Sequence, residues 1–204
     1  MRGPSSIFFL VRHGAVSRSL SDRWWGRLEV PLAQDAGPAL TQTATLLRAN
    51  HPGRLVSSPA QRAVTSARIV QRTLKLPVEV MPALAEVDLG LFAGHSMVEC
   101  ADLYPAAWNA YLADTVDGSP PGGESFRHLA DRVVSWAYDW PRDQDVVVVT
   151  HTGVILALAC TAMGLPFRER IRLAQPPPGS LTVLSLRPPV LHSFADAAFP
   201  PQDS

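Results

Sequence analysis

Cysteine is scarce in this sequence, net charge is missing, and long hydrophobic runs are absent. Each lack removes a class of protein. Cys100 and Cys160 are the only two cysteines, far apart and without a CxxC spacing. That favours a reduced, cytoplasmic protein. Eighteen basic and eighteen acidic side chains cancel. No global field therefore draws the chain to nucleic acid or to an anionic membrane, and an anion site has to be built locally. The apolar stretch Ile7-Phe8-Phe9-Leu10-Val11 is too short for a signal-peptide core and far too short to span a bilayer. The six histidines show no HxH or HExxH spacing, so a metal site is not favoured and no cofactor is expected.

What is present is enough to build one large core. Apolar residues make up 47% of the 204 positions, which fits a single α/β domain over residues 1–204. Ile7 to Val11 and Val146 to Val149 are continuous β-branched or apolar runs without alternation. Such runs suit strands covered on both faces, as in a parallel sheet. Leu55-Val56 is a shorter strand, Leu181 to Leu186 another, and Val190 to Phe194 pairs with the latter as a hairpin or edge.

Helical spacing fills the gaps between strands. Ser58-Pro59 reads as a capping hydroxyl followed by proline at the first helical position, ahead of Ala60, Ala63, Val64, Ala67, Val70 and Leu74. Phe126, Leu129, Ala130, Val133, Ala137 and Trp140 form a second stripe, and Gly153 to Met163 a third, ended by Gly164. Pro38 to Arg48 is a weaker helix. The alternation predicts a three-layer α/β/α sandwich with a mostly parallel central sheet. Residues from about 84 to 123 break the rhythm and read as an inserted, lid-like region with short helices around Tyr104 to Leu112.

The chemistry sits where strands end. Arg12-His13-Gly14 follows the first strand, and His151-Thr152-Gly153 follows the Val146–Val149 strand and opens a helix. In open α/β sheets ligands bind beyond the carboxyl ends of strands, and a helix N-terminus favours anions. Gly14 reads as a place where backbone approaches a ligand closely. Arg62 stands in the first turn of the helix after Leu55-Val56. Two arginines, two histidines and a helix start can converge on one phosphate, whose oxygens the arginine fork matches.

Five blocks stand in order along the chain. They are Leu10-Val11-Arg12-His13-Gly14, Ser57-Ser58-Pro59-Ala60-Gln61-Arg62-Ala63, Glu86-Val87-Asp88-Leu89-Gly90, Gly122-Gly123-Glu124-Ser125 and Val149-Thr150-His151-Thr152-Gly153. Together they resemble the histidine phosphatase superfamily, in its phosphoglycerate-mutase-like branch. The resemblance implies a phosphomonoester hydrolase with His13 as covalent nucleophile. It further implies that Arg12, Arg62 and His151 stabilise the transferring phosphoryl group, and that Glu86 donates and then removes the proton. Thr152, Ser19, Gly26 and Glu124 are the further substrate contacts it implies.

The sequence departs from the family pattern after the Arg-His-Gly triplet. Val16 and Ser19 stand where threonine and asparagine are usual, Glu29 replaces an aspartate in Gly26-Arg27-Leu28-Glu29-Val30-Pro31-Leu32, and Phe92-Ala93 replaces a tryptophan–glutamate pair. These changes concern the substrate more than the reaction type. A phosphoglycerate mutase and an inactive phosphate-binding protein are the alternatives. The short chain favours the phosphatase over the mutase, and the retained charged set argues against an inactive protein. Trp24, Trp25, Trp108 and Tyr111 are candidates for an apolar wall, and Arg18, Arg23 and Arg27 for contact with a second anionic group. The expected partner is a small phosphorylated substrate, such as a sugar phosphate or a nucleotide-like ester. A homodimer is compatible with the sequence.

Overall fold

The computed structural model describes residues 6–17 and 22–196. Twelve regular elements carry the fold: β1 (Phe8–Arg12), α1 (Gly37–Arg48), β2 (Arg54–Ser57), α2 (Gln61–Leu74), β3 (Val78–Val80), α3 (Met97–Leu103), α4 (Pro105–Ala113), α5 (Phe126–Asp139), β4 (Val146–Thr150), α6 (Thr152–Met163), β5 (Leu181–Leu186) and β6 (Pro189–Asp196). The sheet order is β3-β2-β4-β1-β5-β6. β3, β2, β4 and β1 are mutually parallel, while β5 and β6 run antiparallel on one edge.

The apolar runs of β1 and β4 lack alternation because both faces of the sheet are covered. Phe8, Leu10, Val146 and Val148 face one core, shared with Leu129, Val133 and Leu158 of α5 and α6. Phe9, Val11, Val147 and Val149 face the other, shared with Leu40, Ala44, Ala63 and Val70 of α1 and α2. Alternate residues of one strand thus feed opposite layers. Among the described residues no helix is long and apolar enough to cross a membrane.

Two local readings are corrected. The helix after β2 begins at Gln61, not at Pro59, and its N-cap is Ala60. The Ser58 hydroxyl does accept the Ala60 N–H at 3.3 Å, but its shorter bond is to His151. Gly14 is needed for packing rather than for a ligand. A Cβ there would lie 2.9 Å from Ala36 Cβ and 3.0 Å from Leu40 Cδ1, where α1 begins and presses on the loop.

The segment from about 84 to 123 holds more structure than its sequence suggested. Besides α4 it contains α3, whose start is a capping box. The Ser96 side chain accepts the Glu99 N–H, and the Glu99 carboxylate accepts the Ser96 N–H. Leu89, Phe92, Cys100 and Trp108 form a small core of their own, with Trp24 and Tyr111 packed against it. Phe92, at a position where the family usually has tryptophan, is fully buried there.

Gly14→Ala overpacks the contact with α1. It should destabilise the protein by about 1–3 kcal/mol, read as a lower urea midpoint at unchanged slope.

Candidate active site

Sheet register assembles the site. β1 pairs with β4 so that Arg12 stands opposite Thr150, and the His13 N–H donates to the Thr150 carbonyl at 2.9 Å. The residues that follow, His13 and His151, are therefore neighbours. Their ring centroids lie 5.1 Å apart at an interplanar angle of 66°. β2 pairs with the other side of β4, which brings Ser58 to His151 and starts α2, with Arg62, beside both rings.

His13 is 8% exposed, and its protonation is fixed by its partners. Nδ1 lies 2.8 Å from the Gly14 carbonyl, which can only accept, so Nδ1 carries the proton. Nε2 accepts the Arg62 Nε–H at 3.3 Å, and an arginine N–H can only donate. The ring is thus a neutral Nδ1–H tautomer with its basic nitrogen turned to a guanidinium. Burial first, then the charge of Arg62, push the His13 pKa down to about 3, partly offset by the Gly14 bond.

Arg62 is held as tightly as the ring it touches. Nη1 donates to the Leu28 carbonyl at 2.8 Å and Nη2 to the Gly26 carbonyl at 2.7 Å. Glu29, one of the sequence departures, accepts the Gln61 N–H at 2.9 Å and so anchors the first residue of the helix that carries Arg62. The Ser66 hydroxyl donates to the Arg62 carbonyl and accepts the Gly14 N–H, tying α2 to the His13 loop.

Two polar atoms at the site have no protein partner among the described residues. Arg12 Nε is buried and unpaired, while its Nη1 donates to the Pro176 carbonyl at 2.5 Å. His151 Nδ1 is also buried and unpaired, while Nε2 lies 2.7 Å from Ser58 Oγ. Burial, then the nearby His13, Arg62 and Arg12, hold the His151 pKa well below the ordinary value. Buried polar atoms usually find partners, so two orphans on residues that line one cleft mark a place built for a ligand.

Glu86 reaches the same place from the inserted segment. Its Oε2 accepts the Gly153 N–H at 3.1 Å, and its Oε1 accepts the Val87 N–H at 2.9 Å. The N–H that Gly153 offers at the start of α6 is thereby taken by a carboxylate. Gly153 permits the approach: a Cβ there would stand 2.3 Å from Glu86 Oε1.

Arg12, His13, Arg62, Glu86, His151 and Thr152 all line one cleft of about 580 Å³, and Gly26 lines it too. Glu124 is not among the lining residues. Its carboxylate accepts the Asp88 N–H at 3.1 Å and pairs with Arg132 at 2.7 Å and Arg27 at 3.0 Å. Ser19 and Arg18 lie outside the described residues. Val16 lines the cleft and bridges to Leu32. Trp24, Trp25 and Tyr111 line it as well, whereas Trp108 belongs to the small core of the inserted segment. Arg23 is committed to Glu99, and Arg27 to Glu86 O, Asp88 and Glu124.

Sequence reasoning missed Ser58, Arg132 and Arg170. Arg132, on α5, donates to the carbonyls of Ala83, Ala85 and Glu86 and to Glu124, which fixes the loop that presents Glu86. Nothing in the α5 stripe distinguishes that arginine from a solvated one. Arg170 lines the cleft from the turn after α6.

The histidine phosphatase superfamily (branch 1) matches residues 8–191. Glucosyl-3-phosphoglycerate phosphatase of Mycolicibacterium vanbaalenii is 30% identical over 167 residues, 77% of this chain and 74% of that protein. A probable phosphoglycerate mutase of Proteus mirabilis is 27% identical over 169 residues, 81% of this chain and 78% of that protein. A mycobacterial glucosyl-3-phosphoglycerate phosphatase, solved in complex with inorganic phosphate, superposes with a TM-score of 0.78 at 27% identity, covering 95% of this chain and 99% of that one.

The His13 environment sets a pH dependence of stability. The folded pKa of about 3 lies below the unfolded value near 6.5, so the unfolded chain takes up the proton first. Stability should therefore fall as pH drops through about 6.5 toward 3. His13 alone should account for about 2–3 kcal/mol of loss by about pH 4.5, at 1.36 kcal/mol per pH unit. Urea titrations at neutral pH and near pH 4.5 check this. His13→Asn should lose less over the interval than the parent, and parallel losses would contradict it.

Proposed function

This chain belongs to branch 1 of the histidine phosphatase superfamily, and we propose that it hydrolyses a small phosphomonoester in two steps through His13. The observation that carries this reading is the His13 ring itself. It is neutral, with Nδ1–H held by Gly14 and the Nε2 lone pair presented beside Arg62 inside the cleft. A nucleophile of this kind splits one difficult displacement into two easier ones.

In the first step the Arg62 Nε–H turns from Nε2 to a phosphoryl oxygen, the freed Nε2 lone pair attacks phosphorus in line, and the ester P–O bond breaks with its electron pair on the leaving oxygen. Arg12 and Arg62 are the donors to the charge that develops on the equatorial oxygens. His151 adds a third. We assign the Ser58 hydroxyl proton to His151 Nε2, since that O–H has no other acceptor among the described residues while Oγ takes the Ala60 N–H. The neutral His151 ring then offers Nδ1–H, the atom left without a protein partner. Glu86 in its acid form gives a proton to the leaving oxygen. As a carboxylate it then takes a proton from the water that attacks the phosphohistidine, and inorganic phosphate leaves with His13 neutral again.

The inserted segment contributes Glu86, Val87, Leu89 and Tyr111 to the cleft, which supports reading it as a lid over a single domain. Two buried free thiols, Cys100 and Cys160, support the reduced compartment read from the sequence.

A steady-state assay with p-nitrophenyl phosphate tests the hydrolase reading. The parent should turn over, chelator should leave the rate unchanged, and His13→Ala should lower kcat by at least about a thousandfold. An inert parent across phosphomonoesters would overturn the reading. Exchange between 2- and 3-phosphoglycerate that depends on 2,3-bisphosphoglycerate would support the mutase instead.

A further inference from the structure

The cleft contains a cation that the phosphoryl chemistry leaves unused. Arg170 lies in the 3-10 turn Phe167–Arg172 and is 8% exposed. Its guanidinium is fixed from three sides. Nη2 donates to the Thr115 carbonyl at 2.5 Å, Nη1 to the Phe167 carbonyl at 3.2 Å, and its central carbon lies 4.0 Å from the centroid of the Phe126 ring.

No carboxylate among the described residues forms an ion pair with Arg170, although Arg168 and Arg172 in the same turn both face Glu169. The carboxylates that line the cleft are Glu86, held by two N–H groups, and Asp22, which is exposed to solvent. Arg170 is thus a buried positive charge bonded to two backbone oxygens, with Asp114 the nearby carboxylate but not in an ion pair with it. Such a charge is costly unless an anion meets it. A guanidinium has five N–H donors, so more than half of those on Arg170 remain after its two backbone bonds. Tyr111, Phe126 and Leu156 line the cleft with it, an apolar wall that strengthens any ionic contact made there.

We propose that Arg170 binds a carboxylate on the leaving-group half of the substrate, which makes the substrate an acidic phosphomonoester. This rests on the reading that the phosphate sits at His13. Arg12 and Arg62 together serve that end, as a dianion requires. Arg170 stands without a second cation committed to the same task, since Arg23 is paired with Glu99. One unmatched guanidinium suits a monoanion, and its fork matches a carboxylate. A purely structural Arg170, tying the turn to Thr115, would affect every substrate alike.

The test uses matched esters of two reaches. D-3-phosphoglycerate is compared with sn-glycerol 1-phosphate, and 6-phosphogluconate with sorbitol 6-phosphate, where one member of each pair carries the carboxylate and the other an alcohol. The wild-type protein should favour the acid in at least one pair by about ten- to a hundredfold in kcat/KM, the size of a charged hydrogen bond. Arg170→Gln should bring that ratio close to one while p-nitrophenyl phosphate turnover stays within about threefold, and Arg170→Lys should retain part of the ratio. Equal rates within both pairs for the wild-type protein would overturn the proposal, and need no variant to fold. An unchanged ratio in Arg170→Gln, or an equal loss on every ester including the aryl phosphate, would overturn it as well. A wild-type protein that hydrolyses none of these esters removes the phosphatase reading. Calorimetric Kd values for the same pairs on that inert protein then decide the carboxylate site separately, with preference for the acids supporting it and equal affinities overturning it.

Discussion

The hydrogen bond from His13 Nδ1–H to the Gly14 carbonyl is the constraint on which the site depends. It fixes which nitrogen carries the proton and which way the ring faces. With Nδ1 occupied, Nε2 is the only basic atom left, and the Arg62 Nε–H meets it. A charged imidazole could not tolerate that neighbour. The low His13 pKa is the electrostatic counterpart of the same geometry, since burial and Arg62 both disfavour the proton. The conflict between a buried cation and a nucleophile is resolved by keeping the nucleophile neutral.

Much of the surrounding structure serves to hold that arrangement still. Arg62 is anchored by the carbonyls of Gly26 and Leu28, and the helix that carries it by Glu29. Ser66 links the same helix to Gly14. A second network holds Glu86: Arg132 gathers the carbonyls of Ala83, Ala85 and Glu86, and Glu124 bridges Arg132, Arg27 and the Asp88 N–H. Glu124 thus acts on the site through the loop and not through the cleft. Backbone carbonyls do most of this anchoring, which satisfies buried arginines without cancelling the charge a phosphate needs.

The sheet and the core of the site were legible because burial and strand ends leave strong marks. Val146 to Val149 and Phe8 to Val11 are apolar at every position, which only a doubly covered strand requires, and the reactive residues follow them directly. β3 was not legible: Val78–Val80 is three residues long, half-exposed and carries Glu79, so no apolar run announces it. The capping box at Ser96 and Glu99 was a readable signal for α3. Ser58 was misread because a serine before a proline caps helices often, and only the pairing of β2 with β4 brings it to His151. Arg132 and Arg170 are invisible for a different reason. An arginine's role depends on which carbonyls and rings surround it, and those come from distant segments.

The central claim is that His13 Nε2 takes the phosphoryl group. Mass spectrometry of the protein, quenched in base within the first turnover and digested, tests it directly. The account predicts one phosphoryl group on the peptide carrying His13, absent from His13→Ala and discharged as substrate runs out. Turnover with no phosphoryl group on that peptide, or with one on another residue, would contradict it.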